Sequence, residues 1–455
     1  MKFSTLNPST NQVIEEYSYY SLHDSKEKIF SINKGFVKWK KTNFSERSAI
    51  FYSVAQLLRE KKEHFSRLMA IEMGKPLLQG IAEVEKCAAT CEYYAKNAES
   101  FLQPQSIPTE AYYSGVVCNP LGTIFAIMPW NFPLWQVIRF LAPTLMAGNT
   151  AILKHAINVT GCALALEQCL YEAGLPEDVF AVVLCDHPTA ESIIGMREIA
   201  AVSLTGSTRA GKRIGEIAGK HIKKCVLELG GSDAYIICAD ADIDYAVEQC
   251  VQSRLINTGQ SCIAAKRFIV VPEIADTFTE KCTTLLSQKT YGNPLEGIYD
   301  CGPMARHDLR DELHTQVQQS VQQGAQCIIG GYIPENKGAF YPPTLLTEIN
   351  ENMPAYHEEL FGPVATIIRA KDENHAIEIA NSTSFGLGGG IFTEDRERGK
   401  YIAESLFQSG ACFVNTFTKS DPRLPFGGIK ESGYGRELSH FGIMEFVNSK
   451  TVWVQ

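Results

Sequence analysis

Cationic excess is missing from this chain: 42 Lys and Arg residues stand against 51 Asp and Glu in 455 residues, a formal net charge of −9. A mildly acidic protein without a basic stripe is a poor match to nucleic acid. Long apolar runs are missing too. Nowhere do about 18 apolar residues follow one another, so no membrane span is expected. The segment Met1–Pro8 has no apolar stretch of signal-peptide type, and a cytoplasmic location is expected. Cys-x-x-Cys pairs are absent although cysteine is not: fourteen are scattered between Cys87 and Cys412. That scatter disfavours zinc ribbons and thioredoxin-type sites. No metal site is expected, and most of the thiols are expected to be reduced core residues. There is no internal repeat and no low-complexity segment.

What is present is material for a large core, with 45% hydrophobic and 20% charged residues. At roughly 150 residues per domain the length suggests about three domains, or two with an appendage. Residues 24–100 read as helices; Ile50, Val54, Leu57 and Leu58 form an apolar stripe at three- and four-residue spacing. After a proline-punctuated stretch (Gln103 to Pro108) and a strand-like run (Ala111 to Val117), the pattern changes. Apolar runs at Thr123–Met128, Thr150–Leu153, Phe180–Leu184, Ile199–Leu204 and Val226–Leu229 alternate with helical stretches at 161–173 and 209–223. A second alternating series begins near 234, with strands at Ala234–Cys238, Phe268–Val271, Gln326–Ile329, Ala365–Ile368, Gly390–Phe392 and Ala411–Val414. Such alternation implies βαβ units and mostly parallel sheets. A short strand-like tail, 450–455, closes the chain.

Several motifs carry candidate chemistry. Ser203 to Arg213 puts a glycine-bearing turn between a strand and a helix, where backbone N–H groups suit a phosphate. It approaches a Walker A loop, but Arg213 stands where a hydroxyl would hold magnesium; an ordinary βα turn fits equally. Asn131, within Met128-Pro129-Trp130-Asn131-Phe132-Pro133, is either an amide donor for an oxyanion or a turn residue. Lys154 and His155 follow a strand, where a ribose or phosphate site and a solvated cation are both reasonable. Glu228 lies in an apolar run before Gly230-Gly231, so burial would tune it toward a general base; a half-exposed strand end is the alternative. Cys262, in Gly259-Gln260-Ser261-Cys262, begins an element after a glycine loop. The loops at 358–364 and 425–433 are functional loops or plain turns.

Taken in order, Pro129 to Pro133, Lys154, Thr205-Gly206-Ser207-Thr208, Glu228 to Gly231, Gly259 to Cys262, Glu358 to Pro363 and Pro425 to Gly428 resemble the NAD(P)-dependent aldehyde dehydrogenase superfamily across the whole chain. The resemblance implies an α/β architecture: a Rossmann-like cofactor domain (1–100 and 121–230), an α/β catalytic domain (231–437) and a small β oligomerisation arm (101–120 and 438–455), in a homodimer or homotetramer. It implies that Cys262 attacks the aldehyde as thiolate, that Asn131 and the Cys262 N–H hold the oxyanion, and that Glu228 activates the water that hydrolyses a thioester. The cofactor residues it implies are Trp130, Lys154, His155, Gly206, Ser207, Leu229, Glu359 and Phe361, with Glu437 as a second proton relay.

One departure concerns the cofactor. Where many NAD-preferring relatives place a Glu three residues after the Lys, this chain has Ile157. Nothing there repels a 2′-phosphate, and Lys154 and His155 would attract one, so NAD or NADP is expected, with NADP admitted or preferred. For the substrate, Arg139 lies eight residues after Asn131 and would face the tunnel, where a guanidinium suits a carboxylate; a salt-bridged Arg139 is the alternative. The chain's length, Lys154-His155-Ala156 and Ser420 to Gly428 look most like the short bacterial succinate-semialdehyde dehydrogenases, with Thr418–Ser420 at the tunnel mouth. Another short semialdehyde or an aliphatic aldehyde is the rival within the family. Ala264 stands where some relatives carry a second Cys, so no local disulfide switch is expected. Outside the family, a P-loop NTPase and a Cys-nucleophile amidase or acyltransferase are the competing readings.

Overall fold

The computed structural model describes residues 2–455. Two large sheets organise it. In the first, parallel strands run in the spatial order Lys224–Glu228, Ile199–Thr205, Thr123–Met128, Thr150–His155, Phe180–Val182, with Gly433–Tyr434 antiparallel at one edge. The three central strands are almost wholly buried, which fits their β-branched runs. Sequence order reverses between Thr123–Met128 and Ile199–Thr205. Ligands of open α/β sheets sit at the carboxyl ends of strands flanking such a reversal. Pro129-Trp130-Asn131 leaves one of these strands and Gly206-Ser207 leaves the other.

The second sheet runs Gln326–Ile329, Thr344–Thr347, Val364–Arg369, Arg267–Val270, Ala234–Ile237, Gly389–Phe392, Phe413–Val414, parallel except for its first pair. The segment 229–233 joins the two sheets, running from the end of strand Lys224–Glu228 to the start of Ala234–Ile237. Cys262 precedes strand Arg267–Val270 in this sheet. The nucleophile candidate therefore stands at the amino edge of one sheet, and Glu228 at the carboxyl edge of the other.

Helices Leu22–Trp39, Phe44–Glu60, Lys62–Met73 and Leu77–Phe101 account for the predicted helical region and pack on the first sheet and on helix Trp135–Met146. Every residue of that last helix is buried, Arg139 included. Strand Val447–Val454 pairs antiparallel with Tyr113–Pro120, in register from Val447 opposite Pro120 to Val454 opposite Tyr113, and Gln105–Ser106 adds a third strand. The hairpin Lys2–Leu6/Val13–Ser18 and the strand Thr344–Thr347 were not expected from the pattern.

Candidate active site

The site grows from the switch point. Asn131 is 4% exposed and held on three sides. Its carbonyl accepts from Asn257 Nδ2 (2.7 Å) and Lys75 Nζ (3.0 Å), and its own Nδ2 donates to Gln260 O (3.1 Å). Gln260 lies two residues before Cys262, so the amide and the thiol belong to one hydrogen-bonded turn. Lys75 in turn ion-pairs with Glu83, whose Oε1 accepts from the N–H groups of Leu134 (2.9 Å) and Trp135 (3.0 Å). A buried ion pair thus satisfies the first turn of the helix that follows Asn131.

Cys262 is half-buried. Burial pushes its thiol up to about 12, against the pull of Arg139 and Lys266. Lys266 is buried and gathers the Cys262 turn, donating to Ser261 O (3.0 Å) and Cys262 O (2.7 Å) while pairing with Glu359 Oε1 at 3.2 Å. Glu359 also accepts from Gly231 N (3.1 Å). A Cβ on Gly231 would come within 2.9 Å of the Cys262 carbonyl, so the glycine pair after Glu228 lets that segment pass beneath the Cys262 turn.

Glu228 is 2% exposed and neither carboxyl oxygen has a protein hydrogen-bond partner. Burial, then repulsion from Glu437, drives its pKa well above the ordinary carboxylate value; Arg139 and Arg436 oppose this. A partnerless buried carboxyl of this kind suits a general base. Glu437 is also buried and its pKa is raised, by burial first, with Arg139 holding it down.

Two cavities approach these groups. A cleft of about 390 Å³ is lined by Trp130, Asn131, Gly206, Ser207, Leu229, Glu359 and Phe361, together with Gln136 and Cys262. Trp130 and Phe361 meet edge to face at 5.7 Å. Ser207 caps helix Thr208–Lys220, accepting from Ala210 N, so a helix amino terminus opens on this cleft. An amino-terminal helix end, a ribose-sized carboxylate and two aromatic rings fit a dinucleotide. A larger cavity of about 850 Å³ reaches Cys262 from the other side, lined among others by Lys86, Trp135, Gln136, Arg139, Thr418 and Ser420. Cys262 and Gln136 are common to both.

Two expectations change, those for His155 and Arg139. His155 offers no charge to a phosphate: its Nε2 lies 2.9 Å from Pro133 O, its Nδ1 accepts from Ala156 N, and burial brings its pKa down to about 4. Its ring is a neutral brace for the turn. Lys154 is buried at its strand end without an ion pair, its pKa lowered by burial, and neither residue lines the cleft. Arg139 does line the larger cavity, but it ion-pairs with Glu437, bonds Gln136 Oε1 (2.8 Å) and stacks on Phe426. The salt-bridged alternative is the one found. As for the Walker-like turn, Lys212 points away to Glu431 at 2.7 Å and Arg213 pairs with Glu191. Among the described residues no group of His, Cys, Asp or Glu is placed to hold a metal, and no helix is long and apolar enough to cross a membrane.

Lys86, Gln136 and Lys266 escaped the sequence reading. Lys266 lies four residues after Cys262, and a lysine destined for burial beside a nucleophile was the available signal.

Residues 1–452 match the aldehyde dehydrogenase family model. The chain is 44% identical over 449 residues to an Escherichia coli K12 succinate semialdehyde dehydrogenase named for NAD(P)+, covering 99% of this chain and 97% of that one. It is 43% identical over 454 residues, the full length of both, to a Synechocystis protein named "probable succinate-semialdehyde dehydrogenase" for NADP(+). Its fold matches the crystal structure of succinic semialdehyde dehydrogenase from Streptococcus pyogenes in complex with NADP+ with a TM-score of 0.97, at 34% identity over 99% of each chain. With the switch-point cleft, the buried carboxyl and the cysteine between two cavities already in place, the chain belongs to the aldehyde dehydrogenase family.

Proposed function

We propose that this NAD(P)-dependent aldehyde dehydrogenase oxidises succinate semialdehyde to succinate, with NADP+ accepted at least as well as NAD+. The observation that carries the reading is the meeting of the dinucleotide-shaped cleft and the larger cavity at Cys262. A thiol there is reachable by an aldehyde from one side and faces a cofactor on the other. The names of the relatives and the cations of the larger cavity both support a carboxylate-bearing aldehyde.

In this reading Cys262 adds to the aldehyde carbon as thiolate and forms a thiohemiacetal. The Asn131 amide and the Cys262 N–H stabilise its oxyanion. Trp130, Gly206, Ser207, Leu229, Glu359 and Phe361 hold the cofactor, with Lys154 toward the adenosine ribose. When bound, NAD(P)+ supplies the hydride acceptor that takes the substrate carbon to the thioester level. Glu228 then takes a proton from the water that attacks the thioester carbonyl. Glu437 stands beside Glu228 as a relay for that proton, and Arg139 and Ser420 offer donors on the substrate side.

Two further parts belong to the same reading. The eight-residue strand Val447–Val454 leaves its outer edge unpaired among the described residues, with Trp453 and Val454 half exposed. A second copy of the chain would complete it, giving a homodimer or a pair of dimers. A nucleophilic thiol also needs a reducing compartment, which supports the cytoplasm.

The test is cofactor reduction by purified enzyme with succinate semialdehyde and butanal, with NAD+ and NADP+, for wild type, Cys262→Ser and Asn131→Ala. Turnover lost in the Ser variant with cofactor binding retained, and kcat lowered about 10²–10³-fold in the Ala variant, supports the mechanism. Turnover of butanal alone would overturn the substrate. Chromatography with light scattering on protein lacking 447–455 checks the interface; an unchanged oligomer would refute it.

A further inference from the structure

Of the cations lining the larger cavity, Lys86 and Lys419 have no ion pair among the described residues, and Lys419 is exposed, lying over the Phe417 ring. Arg139 is ion-paired with Glu437. Lys86, on helix Leu77–Phe101, lines the same cavity and has no carboxylate within 4.0 Å among the described residues. The nearest acids are committed elsewhere. Glu83, one turn earlier on the helix, is taken by Lys75 and two backbone N–H groups. Asp421 pairs with Arg423.

The Lys86 ammonium is held in a defined place. It sits 4.1 Å from the centre of the Trp135 ring and donates to Ser420 Oγ at 2.6 Å. Ser420 and Trp135 are both buried. An ammonium has three donors and no acceptor, so two donors remain for a ligand. The Ser420 hydroxyl accepts from Lys86 and keeps its own proton to give. Lysine and serine therefore present a convergent set of donors to one anion, against an aromatic wall that covers the lysine stem.

We propose that Lys86, with Ser420 as its partner, binds the carboxylate at the far end of the aldehyde substrate and sets the preference for ω-carboxy aldehydes over neutral ones. The assignment rests on the substrate reading above and moves its main charge from Arg139 to Lys86. Burial and the neighbouring Arg139 bring the free ammonium down to about 8. An incoming carboxylate supplies the missing counter-charge. Arg139, already neutralised, shapes the cavity and holds Gln136.

The experiment compares kcat/KM for succinate semialdehyde with that for butanal in wild type, Lys86→Met, Lys86→Arg and Ser420→Ala. The methionine keeps the apolar stem over Trp135 and removes the charge. The semialdehyde-to-butanal ratio should fall about tenfold to a hundredfold in Lys86→Met, mainly through KM, as expected when a charge-assisted hydrogen bond is lost. Ser420→Ala should lower the ratio about fivefold, and Lys86→Arg should recover most of the loss. A merely structural lysine would lower both substrates together and leave the ratio in place. A wild type that prefers the semialdehyde, with Lys86→Met and Ser420→Ala both within twofold of its ratio, overturns the role of Lys86 alone. A wild type with no such preference overturns the substrate reading and this assignment with it. Should the methionine variant fail to fold, Ser420→Ala and Lys86→Arg decide the question by the same ratio.

Discussion

Arg139 ion-pairs with Glu437 and leaves the carboxyl of Glu228, the neighbour of both, without a protein partner. Both carboxyls are raised by burial, but only Glu437 has the guanidinium as a direct partner to oppose it. Glu437 raises the pKa of Glu228; Arg139 lowers it. Replacing Glu437 by Gln removes the repulsion and releases the guanidinium, and both changes favour ionised Glu228. The acid limb of the kcat–pH profile should move to lower pH, as measured with saturating substrate. Thermal unfolding should also show a loss of about 3 kcal/mol or more, because Arg139 is left as an unpaired buried charge.

Gly427 is the close neighbour of the same Glu228 carboxyl. It has φ +151°, and a Cβ there would come within 2.6 Å of Glu228 Oε1. Gly427→Ala should displace the carboxyl and lower kcat about 10²-fold while KM for the cofactor changes little, since Gly427 does not line the cofactor cleft. Steady-state kinetics with varied cofactor would check this. Activity near wild type would mean that the base works from another position.

Ile157 is 42% exposed just beyond strand Thr150–His155. A carboxylate there would repel a 2′-phosphate and accept from a free ribose. Ile157→Glu should lower the NADP+/NAD+ ratio of kcat/KM by about tenfold or more. An unchanged ratio would place the 2′-phosphate elsewhere.

Glu72 links pH to stability away from the chemistry. Its carboxyl accepts from Gly161 N (2.7 Å) and Cys162 N (2.8 Å), yet burial raises its pKa from 4.5 to about 7. Folding therefore favours the protonated form. That contribution is whole below about 4.5 and is lost as pH rises through about 7. Glu72→Gln should lower stability relative to wild type at pH 5 and recover about 2–3 kcal/mol of the difference by pH 8, read from melting curves at the two pH values. A constant difference would contradict it.

The parallel strands were legible because burial on both faces writes continuous apolar runs: Thr123–Met128 and Ala234–Ile237 lie where the pattern placed them. The hairpin Lys2–Leu6/Val13–Ser18 was not, since most of its side chains meet solvent and no alternation marks a core face. Strand Thr344–Thr347 is only four residues long and follows two prolines. In the site, Asn131 and the Cys262 segment meet through Gln260, and Glu228 is buried at its strand end. Charges could not be read from spacing. His155 and Arg139 are cationic types on paper, but a neutral hydrogen-bonded ring and a paired guanidinium are products of tertiary burial. Lys86 was hidden for a related reason: helix Leu77–Phe101 is buried over much of its circumference, so its pattern does not say which face meets a cavity.

Because the two cavities share only Cys262 and Gln136 among their lining residues, the enzyme has two doors and one hearth. In the proposed reading aldehyde and acid use one door and the dinucleotide the other, so neither should block the other's path. Inhibitors should sort by door. Succinate should compete with the aldehyde and not with NADP+, and 2′,5′-ADP should do the reverse; mutual exclusion of the two in a double-inhibition experiment would show that the passages overlap. The same separation leaves each passage free to change its lining, and so its clientele, without disturbing the other.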